Sequence, residues 1–216
     1  MKPGIIFDMD GLLFDTEALY ARGWMEMGKE FVGESNRQMA DDICGTNGTE
    51  LKNVIRSYYP DVDVDAYYKA VQKRVYQLFL EDVPPKEGCF EILDHVCRQG
   101  CKVALASSSN MNYIDLALDS HHLRDRFDVI VNRDFVKNGK PSPDLFLVAA
   151  EKLGLDPKDC YVVEDSIPGV RAGLDAGCAT IMVPDVKKPL PEFYEQCIGI
   201  YDSLKDVLTA FQTKQI

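Results

Sequence analysis

The chain opens with a short apolar segment, and a long helical pattern follows it. Ile5, Ile6 and Phe7 form a run that is typical of a buried strand. After this strand, apolar positions recur at spacings of three and four, as in amphipathic helices. This spacing predicts helices over residues 17–32, 49–59 and 65–81. The pattern therefore predicts an all-helical bundle inserted after the first strand.

A different pattern begins after Pro84 and Pro85, where short runs rich in β-branched residues alternate with helical segments. It predicts strands at 102–107, 128–132, 160–164 and 179–183, helices at 88–99, 110–120, 143–153 and 168–176, and a final helix at 203–212. Such alternation is typical of a parallel sheet covered on both faces. We therefore expect an α/β fold with a Rossmann-like parallel sheet core and an inserted α-helical bundle cap. The expected boundaries are 1–15 and 82–216 for the core domain and 16–81 for the cap domain.

The charge of the chain restricts its partners. The formal net charge is −11, so the field over most of the surface repels polyanions. We expect no nucleic-acid partner and no membrane partner. A small anionic substrate would need a local positive site.

Cysteine usage and the absence of targeting signals indicate the compartment. The seven cysteines show no CxxC motif and have an odd total, which favours free thiols in a reducing environment. No secretory leader pattern opens the chain, and no apolar run reaches the roughly 18 residues of a membrane span. We expect a cytoplasmic protein, as a monomer or a weak homodimer.

Two acids follow the first predicted strand directly. Asp8 and Asp10 are two residues apart, so their side chains lean to the same face of an extended chain. Gly11 allows a sharp turn just after them. Carboxylates held this close repel each other, and a bound divalent cation or a shared proton relieves that repulsion.

The ends of later strands are polar too. Ser107 and Ser108 end the second predicted strand, Lys140 lies in a proline-marked turn, and Glu164 and Asp165 end the fourth strand. Ligands of parallel sheets bind outside the carboxyl ends of the strands. We therefore expect these side chains to meet Asp8 and Asp10 in one site.

With these motifs the sequence resembles the haloacid dehalogenase superfamily, in the branch of β-phosphoglucomutases and phosphatases with a helical cap after the first strand. The resemblance covers nearly the whole chain and rests on Asp8-Met9-Asp10-Gly11, Asp15-Thr16, Ser107, Lys140 in Gly-Lys-Pro-Ser-Pro-Asp, and Glu164-Asp165-Ser166. It implies a magnesium-dependent phosphomonoesterase. The expected substrate is a small phosphorylated metabolite, such as a sugar phosphate, and the expected intermediate is an aspartyl-phosphate.

The resemblance also implies a role for each acid. Asp8 would be the nucleophile, and Asp10 would be the general acid and then the base that activates water. Mg²⁺ would be held by the Asp8 carboxylate, the Asp10 backbone carbonyl and Asp165, with Glu164 as a further contact. All-oxygen ligands suit a hard cation such as Mg²⁺.

The phosphoryl group needs a binding site of its own. By the same resemblance, Ser107, the backbone amide of Ser108 and Lys140 would bind the phosphoryl oxygens. Catalysis of phosphoryl transfer is mainly positioning and charge stabilisation. One divalent ion and one lysine supply both.

Cap residues are expected to touch the leaving group and to set specificity: Thr16, Gly45, Thr46, Asn47 and Gly48. Thr16 and the 81–85 connection are expected to act as hinges for opening and closing of the cap.

Two alternative functions remain at this point. A β-phosphoglucomutase-type phosphosugar mutase has a histidine and a cap arginine where this chain has Tyr20 and Gly48, although Lys69, Lys73 or Arg74 could supply a cap charge. A non-enzymatic, receiver-like phosphoacceptor module shares the acids and the lysine, but it lacks a helical insert of this size. Turnover that depends on Asp10 separates an enzyme from such a module.

Overall fold

The computed structural model describes residues 1–44, 46 and 48–216. The chain forms two compact units, one from Met1–Phe14 and Pro84–Ile216, the other from Asp15–Val83. The second unit begins one residue earlier and ends two residues later than the segment 16–81 expected from the sequence.

The helical unit contains α1 (Thr16–Phe31), α2 (Arg37–Ile43), α3 (Gly48–Tyr58) and α4 (Val64–Glu81). Side chains cap two of them: Asn36 Oδ1 accepts a hydrogen bond from the Met39 amide at 3.0 Å, and Asp63 Oδ1 accepts from the amides of Asp65 and Ala66. Three of these helices lie within one residue of the predicted ranges. The sequence pattern did not predict α2, because it is only seven residues long and mostly polar.

Helices α1 and α4 pack closely through small and aromatic residues. A Cβ atom on Gly23 would stand 2.6 Å from Val75 Cγ2, so the glycine allows the two helices to approach. The Trp24 and Tyr67 rings meet edge to face at 5.5 Å, and the Tyr67 hydroxyl donates to the Trp24 carbonyl at 2.8 Å. Such pairs add to the apolar burial that stabilises the helix pair.

The other unit alternates strands and helices: β1 (Gly4–Phe7), α5 (Cys89–Arg98), β2 (Lys102–Ser107), α6 (Met111–Ser120), β3 (Val129–Asn132), α7 (Asp144–Leu153), β4 (Cys160–Glu164), α8 (Ile167–Asp175), β5 (Ala179–Met182), α9 (Phe193–Gln196), β6 (Gly199–Ile200) and α10 (Leu204–Gln212). The strands form one parallel sheet in the order β3-β2-β1-β4-β5-β6. The predicted Rossmann-like α/β fold with a helical insert is confirmed. The order reverses at β1, whose carboxyl end is therefore the favoured place for a ligand.

Helices cover both faces of this sheet. Cys160 and Val162 of β4 belong to the apolar cluster that contains Phe146 of α7. Tyr161, which lies between them in the strand, instead meets the Phe211 ring of α10 at 5.2 Å. Successive strand residues point to opposite faces, so α7 and α10 lie on opposite sides of the sheet.

Each of the seven cysteines carries a free thiol. Among the described residues, no helix has both the length and the apolar character needed to cross a membrane.

Candidate active site

The loop after β1 brings two carboxylates to the carboxyl edge of the sheet. The Asp8 amide donates to the Val163 carbonyl at 3.0 Å, which extends the β1–β4 pairing by one residue. The chain then turns at Gly11, whose φ of 79° is the left-handed conformation that glycine adopts without strain. The Gly11 amide closes the turn by donating to the Phe14 carbonyl at 2.9 Å.

Lys140 lies between two of the predicted acids. Its Nζ donates to Asp8 Oδ1 at 2.5 Å and to Glu164 Oε1 at 2.6 Å, and it stands 4.9 Å from the centre of the Phe146 ring. All three charged side chains are more than nine-tenths buried. Removing Lys140 would leave two carboxylates buried without this counter-ion, which is costly.

The backbone amide and the hydroxyl group of Ser166, in the turn between β4 and α8, hold Glu164. Its Oε2 accepts from the Ser166 amide at 2.7 Å and from the Ser166 hydroxyl at 2.9 Å. A Cβ atom on Gly169 would stand 1.7 Å from Glu164 Oε1. The missing side chain of Gly169 is therefore what leaves room for this carboxylate.

Asp10 is held by two hydroxyl groups from the end of β2. Its Oδ2 accepts from Ser107 Oγ at 2.9 Å and from Ser109 Oγ at 2.8 Å. Its Oδ1 is buried and has no hydrogen-bond partner among the described residues. One oxygen is thus fixed, and the other is available to a proton or a substrate atom. Ser108, between the two serines, is exposed.

The cluster carries more negative than positive charge. Burial raises the pKa of Asp8 to about 8; Lys140 opposes this shift, and the carboxylates of Glu164 and Asp10 add to it. Burial also raises the pKa of Asp165, and Glu164 and Asp8 raise it further. Burial alone would lower the pKa of Lys140, but Asp8 and Glu164 more than offset this and raise it. A bound cation would relieve the repulsion among the carboxylates.

The residues present fit a magnesium ion. Oxygen atoms of Asp8, Glu164 and Asp165 lie within 4.8 Å of one another. A Cβ atom on Gly11 would stand 2.5 Å from Asp165 Oδ2, so the glycine keeps the space beside that oxygen open. Carboxylate oxygens in a polar, anionic pocket are the donors that Mg²⁺ prefers.

The structure thus brings Asp8, Asp10, Ser107, Lys140, Glu164 and Asp165 to neighbouring strand ends. Two neighbours were given no role from the sequence, Ser109, which belongs to the polar run at the end of the second strand, and Asp185. Ser109 lies two residues after Ser107, and the period of two in an extended chain could have identified it. Asp185 follows β5, and applying the strand-end rule to that strand as well would have found it.

The predicted specificity residues lie in the helical unit. Thr16 is buried at the start of α1. The Thr46 hydroxyl donates to the Ile43 carbonyl at 2.6 Å. Gly48 begins α3 with a φ of 53°, and no atom of the described residues lies within 4 Å of the point where its Cβ would stand. Gly45 and Asn47 lie outside the described residues. Contact of these residues with a leaving group stays a prediction.

Two of the positions that bear on the mutase alternative, Tyr20 and Arg74, contact other side chains of the helical unit. The Tyr20 and Phe79 rings meet edge to face at 6.3 Å. Arg74 pairs with Glu26 at 2.5 Å and with Glu81 at 3.2 Å. Lys69 and Lys73 are exposed.

The family described as haloacid dehalogenase-like hydrolase matches residues 5–183 of the chain. A phosphorylated carbohydrates phosphatase from Thermotoga maritima is 32% identical over 178 residues, which cover 82% of either chain. A bifunctional riboflavin kinase/FMN phosphatase from Arabidopsis thaliana is 32% identical over 212 residues, which are 94% of this chain and 54% of that relative. This chain therefore spans about half the length of the Arabidopsis protein. Both relatives carry phosphatase names, in agreement with the enzyme class expected from the sequence.

A solved structure from Thermotoga maritima, provisionally named a beta-phosphoglucomutase, is similar over 99% of both chains. Its TM-score is 0.83, at 27% sequence identity.

Proposed function

Because the chain belongs to the haloacid dehalogenase-like hydrolase family, we propose that it is a magnesium-dependent phosphomonoesterase that acts through an aspartyl-phosphate on Asp8. The substrate class is a small phosphorylated metabolite, such as a sugar phosphate. The observation that carries the proposal is the buried cluster of Asp8, Lys140 and Glu164 beside Asp10, which has one fixed and one available oxygen.

In the first step, an Asp8 carboxylate oxygen attacks phosphorus, and the bond from phosphorus to the leaving oxygen breaks. Asp10 gives its proton to that oxygen, so the product leaves as a neutral alcohol. Ser107 and Ser109 hold Asp10 Oδ2, which directs Oδ1 to this proton transfer. Lys140 Nζ, 2.5 Å from Asp8 Oδ1, lies within reach of a phosphoryl group on that carboxylate and offsets its charge.

In the second step, water attacks the phosphorus of the aspartyl-phosphate and the bond to Asp8 breaks. Asp10, now a carboxylate, takes the proton from that water, and inorganic phosphate leaves. Both acids return to their starting states.

The residues that would hold Mg²⁺ are Asp8, Asp165 and the Asp10 carbonyl, with Glu164 as a further contact. When bound, the ion offsets the charge that otherwise repels a carboxylate nucleophile from a phosphate dianion. The hydrogen bonds of Glu164 to Lys140 and Ser166 give it a second role, which is to orient the lysine.

The names of the relatives support the substrate class. One relative is named for phosphorylated carbohydrates and the other for FMN, and both substrates are phosphate esters of small polyhydroxy compounds. The free thiols of this chain are compatible with the expected cytoplasmic location, which stays a prediction.

A phosphosugar mutase is the second candidate, since the Thermotoga structure with a TM-score of 0.83 carries that provisional name. Two observations favour the phosphatase. Tyr20 and Gly48 stand where the resemblance expects a histidine and an arginine. Arg74, a candidate for the cap charge, is paired with Glu26 and Glu81.

The test is phosphate release from a panel of sugar phosphates, nucleotides and phosphoglycolate, with and without Mg²⁺. Asp8→Asn and Asp10→Asn are compared with Asp61→Asn, which removes the same charge from an exposed position of the helical unit. Release that needs Mg²⁺ and both aspartates supports the proposal. Conversion of one phosphosugar into its isomer, with a bisphosphate primer and negligible phosphate release, would establish the mutase.

A further inference from the structure

Among the residues that the structure describes, Asp185 has one carboxylate oxygen in a hydrogen bond and one without a partner. Lys86 Nζ donates to Asp185 Oδ1 at 2.6 Å. Asp185 Oδ2 is buried, and none of the described residues offers it a hydrogen bond. A buried carboxylate oxygen without a hydrogen-bond donor costs free energy. The groups around Asp185 Oδ2 therefore indicate which donor it binds.

This oxygen faces the predicted metal ligands. The point where a Cβ would stand on Gly11 is 2.5 Å from Asp165 Oδ2 and 3.2 Å from Asp185 Oδ2. The two oxygens therefore border the same small space, which glycine leaves open. The negative charge of Asp185 also contributes to the raised pKa of Asp165, after burial and the charges of Glu164 and Asp8.

A cavity in the same unit of the chain includes Asp185 and Gly11 in its lining. It has a volume of about 210 Å³, and its lining also includes Lys86, Asp202 and Ser203 among others. It is large enough for several water molecules, each of which takes about 30 Å³ in the liquid. A carboxylate that lines such a cavity is placed to hold an ordered water.

We propose that Asp185 is a positioning residue for the magnesium ion: its Oδ2 accepts a hydrogen bond from a water molecule on the ion, and Lys86 holds its Oδ1. The inference rests on the proposed function, because it requires Mg²⁺ at Asp8 and Asp165. Protein-bound Mg²⁺ keeps several of its waters. Acceptors that hold such waters contribute to metal affinity although they never touch the metal.

The test is calorimetric titration of the substrate-free protein with Mg²⁺. Asp185→Asn keeps the shape of the side chain and removes its charge. Asp202→Asn is the matched control, because it removes the same charge from an exposed position of the same cavity. We expect Asp185→Asn to weaken Mg²⁺ binding about tenfold, the lower end of the range for outer ligands, and Asp202→Asn to stay within about twofold of the wild type.

A second variant, Asp185→Ser, covers the case in which the asparagine variant does not fold. We expect Mg²⁺ to raise the thermal unfolding temperature of Asp185→Ser less than it raises that of the wild type or of Asp202→Asn. Equal Mg²⁺ affinity, or an equal thermal shift, in the Asp185 variants and the wild type would overturn the inference alone. A wild-type protein that binds no Mg²⁺ would overturn the proposed cofactor as well, so the two failures are distinguishable.

Discussion

Among single residues, Gly169 determines the position of the Glu164 carboxylate, and through it that of Lys140. Its missing Cβ leaves the space that Glu164 Oε1 occupies, and Glu164 in turn holds Lys140 beside Asp8. A residue with no side chain thus positions a lysine through an intervening carboxylate. Sequence pattern cannot show this, because the contact depends on the close approach of α8 to the end of β4.

Gly169→Ala tests this relation. The new Cβ would overlap Glu164 Oε1, so the carboxylate must move and Lys140 loses a partner. We expect kcat to fall about 10–100-fold, the range found for residues that orient the direct ligands of a metal. The helical secondary structure should be retained. Steady-state kinetics and circular dichroism measure the two effects. Gly139→Ala is the control, since its added Cβ meets no atom within 4 Å in the part of the chain that the structure describes. An equal loss in that variant would show that the effect does not come from Glu164.

Ser109 tests the positioning of Asp10. Ser109→Ala removes one of the two hydroxyl donors to Asp10 Oδ2. A hydrogen bond to a charged group is worth about 1.5–3 kcal/mol, so we expect kcat to fall about 10–100-fold with little change in KM. The neighbour Ser108 is exposed, and Ser108→Ala keeps its backbone amide. Similar kinetics of the two alanine variants would show that Ser109 does not hold Asp10.

At the scale of elements, the α1–α4 pair depends on a small residue facing a branched one. Gly23 stands where a Cβ would come within 2.6 Å of Val75 Cγ2. Glycine inside a helix normally costs about 1 kcal/mol relative to alanine. Close packing of the two helices therefore outweighs helix propensity at this position.

Gly23→Ala is expected to lower the free energy of unfolding by about 1–3 kcal/mol through overpacking, although the same change on an exposed helix face would stabilise. Trp24, the one tryptophan of the chain, reports urea unfolding of this unit by fluorescence. In Val75→Ala the clashing methyl group is gone, so adding Gly23→Ala there should cost less than in the wild type. Strictly additive free energies would refute the predicted contact.

The ion pairs between α1 and α4 predict a pH effect. The hydrogen bond from Arg74 lowers the pKa of Glu26 below its usual 4.5, against burial and with help from Arg22. Because the folded pKa lies below the unfolded one, this stabilisation is present above pH 4.5 and is lost as pH falls through the folded value.

Glu26→Gln should therefore lower the unfolding free energy at pH 7 by about 0.5 kcal/mol, as for a partly exposed pair. The difference from the wild type should disappear in acid. Urea midpoints of both proteins, measured from pH 7 downwards, check this. A difference that persists unchanged in acid would assign the effect to packing.

At the scale of the whole molecule, sequence periodicity was enough for most of the sheet and for the helical insert. The apolar run before Asp8 and the β-branched runs at 102–107 and 160–164 correspond to β1, β2 and β4, whose buried interiors impose that pattern. Strand β6 has only two residues, Gly199 and Ile200, too few for any period to show. The sequence pattern predicted no element between the strand at 179–183 and the final helix at 203–212, and this segment contains α9 and β6.

The candidate site was predictable to the extent that it follows strand ends. Asp8, Ser107 and Glu164 stand at the ends of β1, β2 and β4, and parallel strands bring such ends to one edge. The hydrogen-bond partners were not predictable, because they depend on side-chain directions. The two contacts of Lys140 and the open oxygen of Asp185 are of this kind.

In the proposed mechanism Asp8 carries the phosphoryl group during turnover. The most direct measurement is acid quenching of a single turnover with Mg²⁺ and the best substrate of the panel, followed by peptide mass spectrometry. With an aryl phosphate, whose leaving group needs little protonation, Asp10→Asn should accumulate the intermediate, because the attack of water still needs a base. We expect one phosphoryl group on Asp8, and none in Asp8→Asn. Phosphate release with the phosphoryl group on another residue, or with no phosphorylated protein at any time, would contradict the role of Asp8 as the nucleophile.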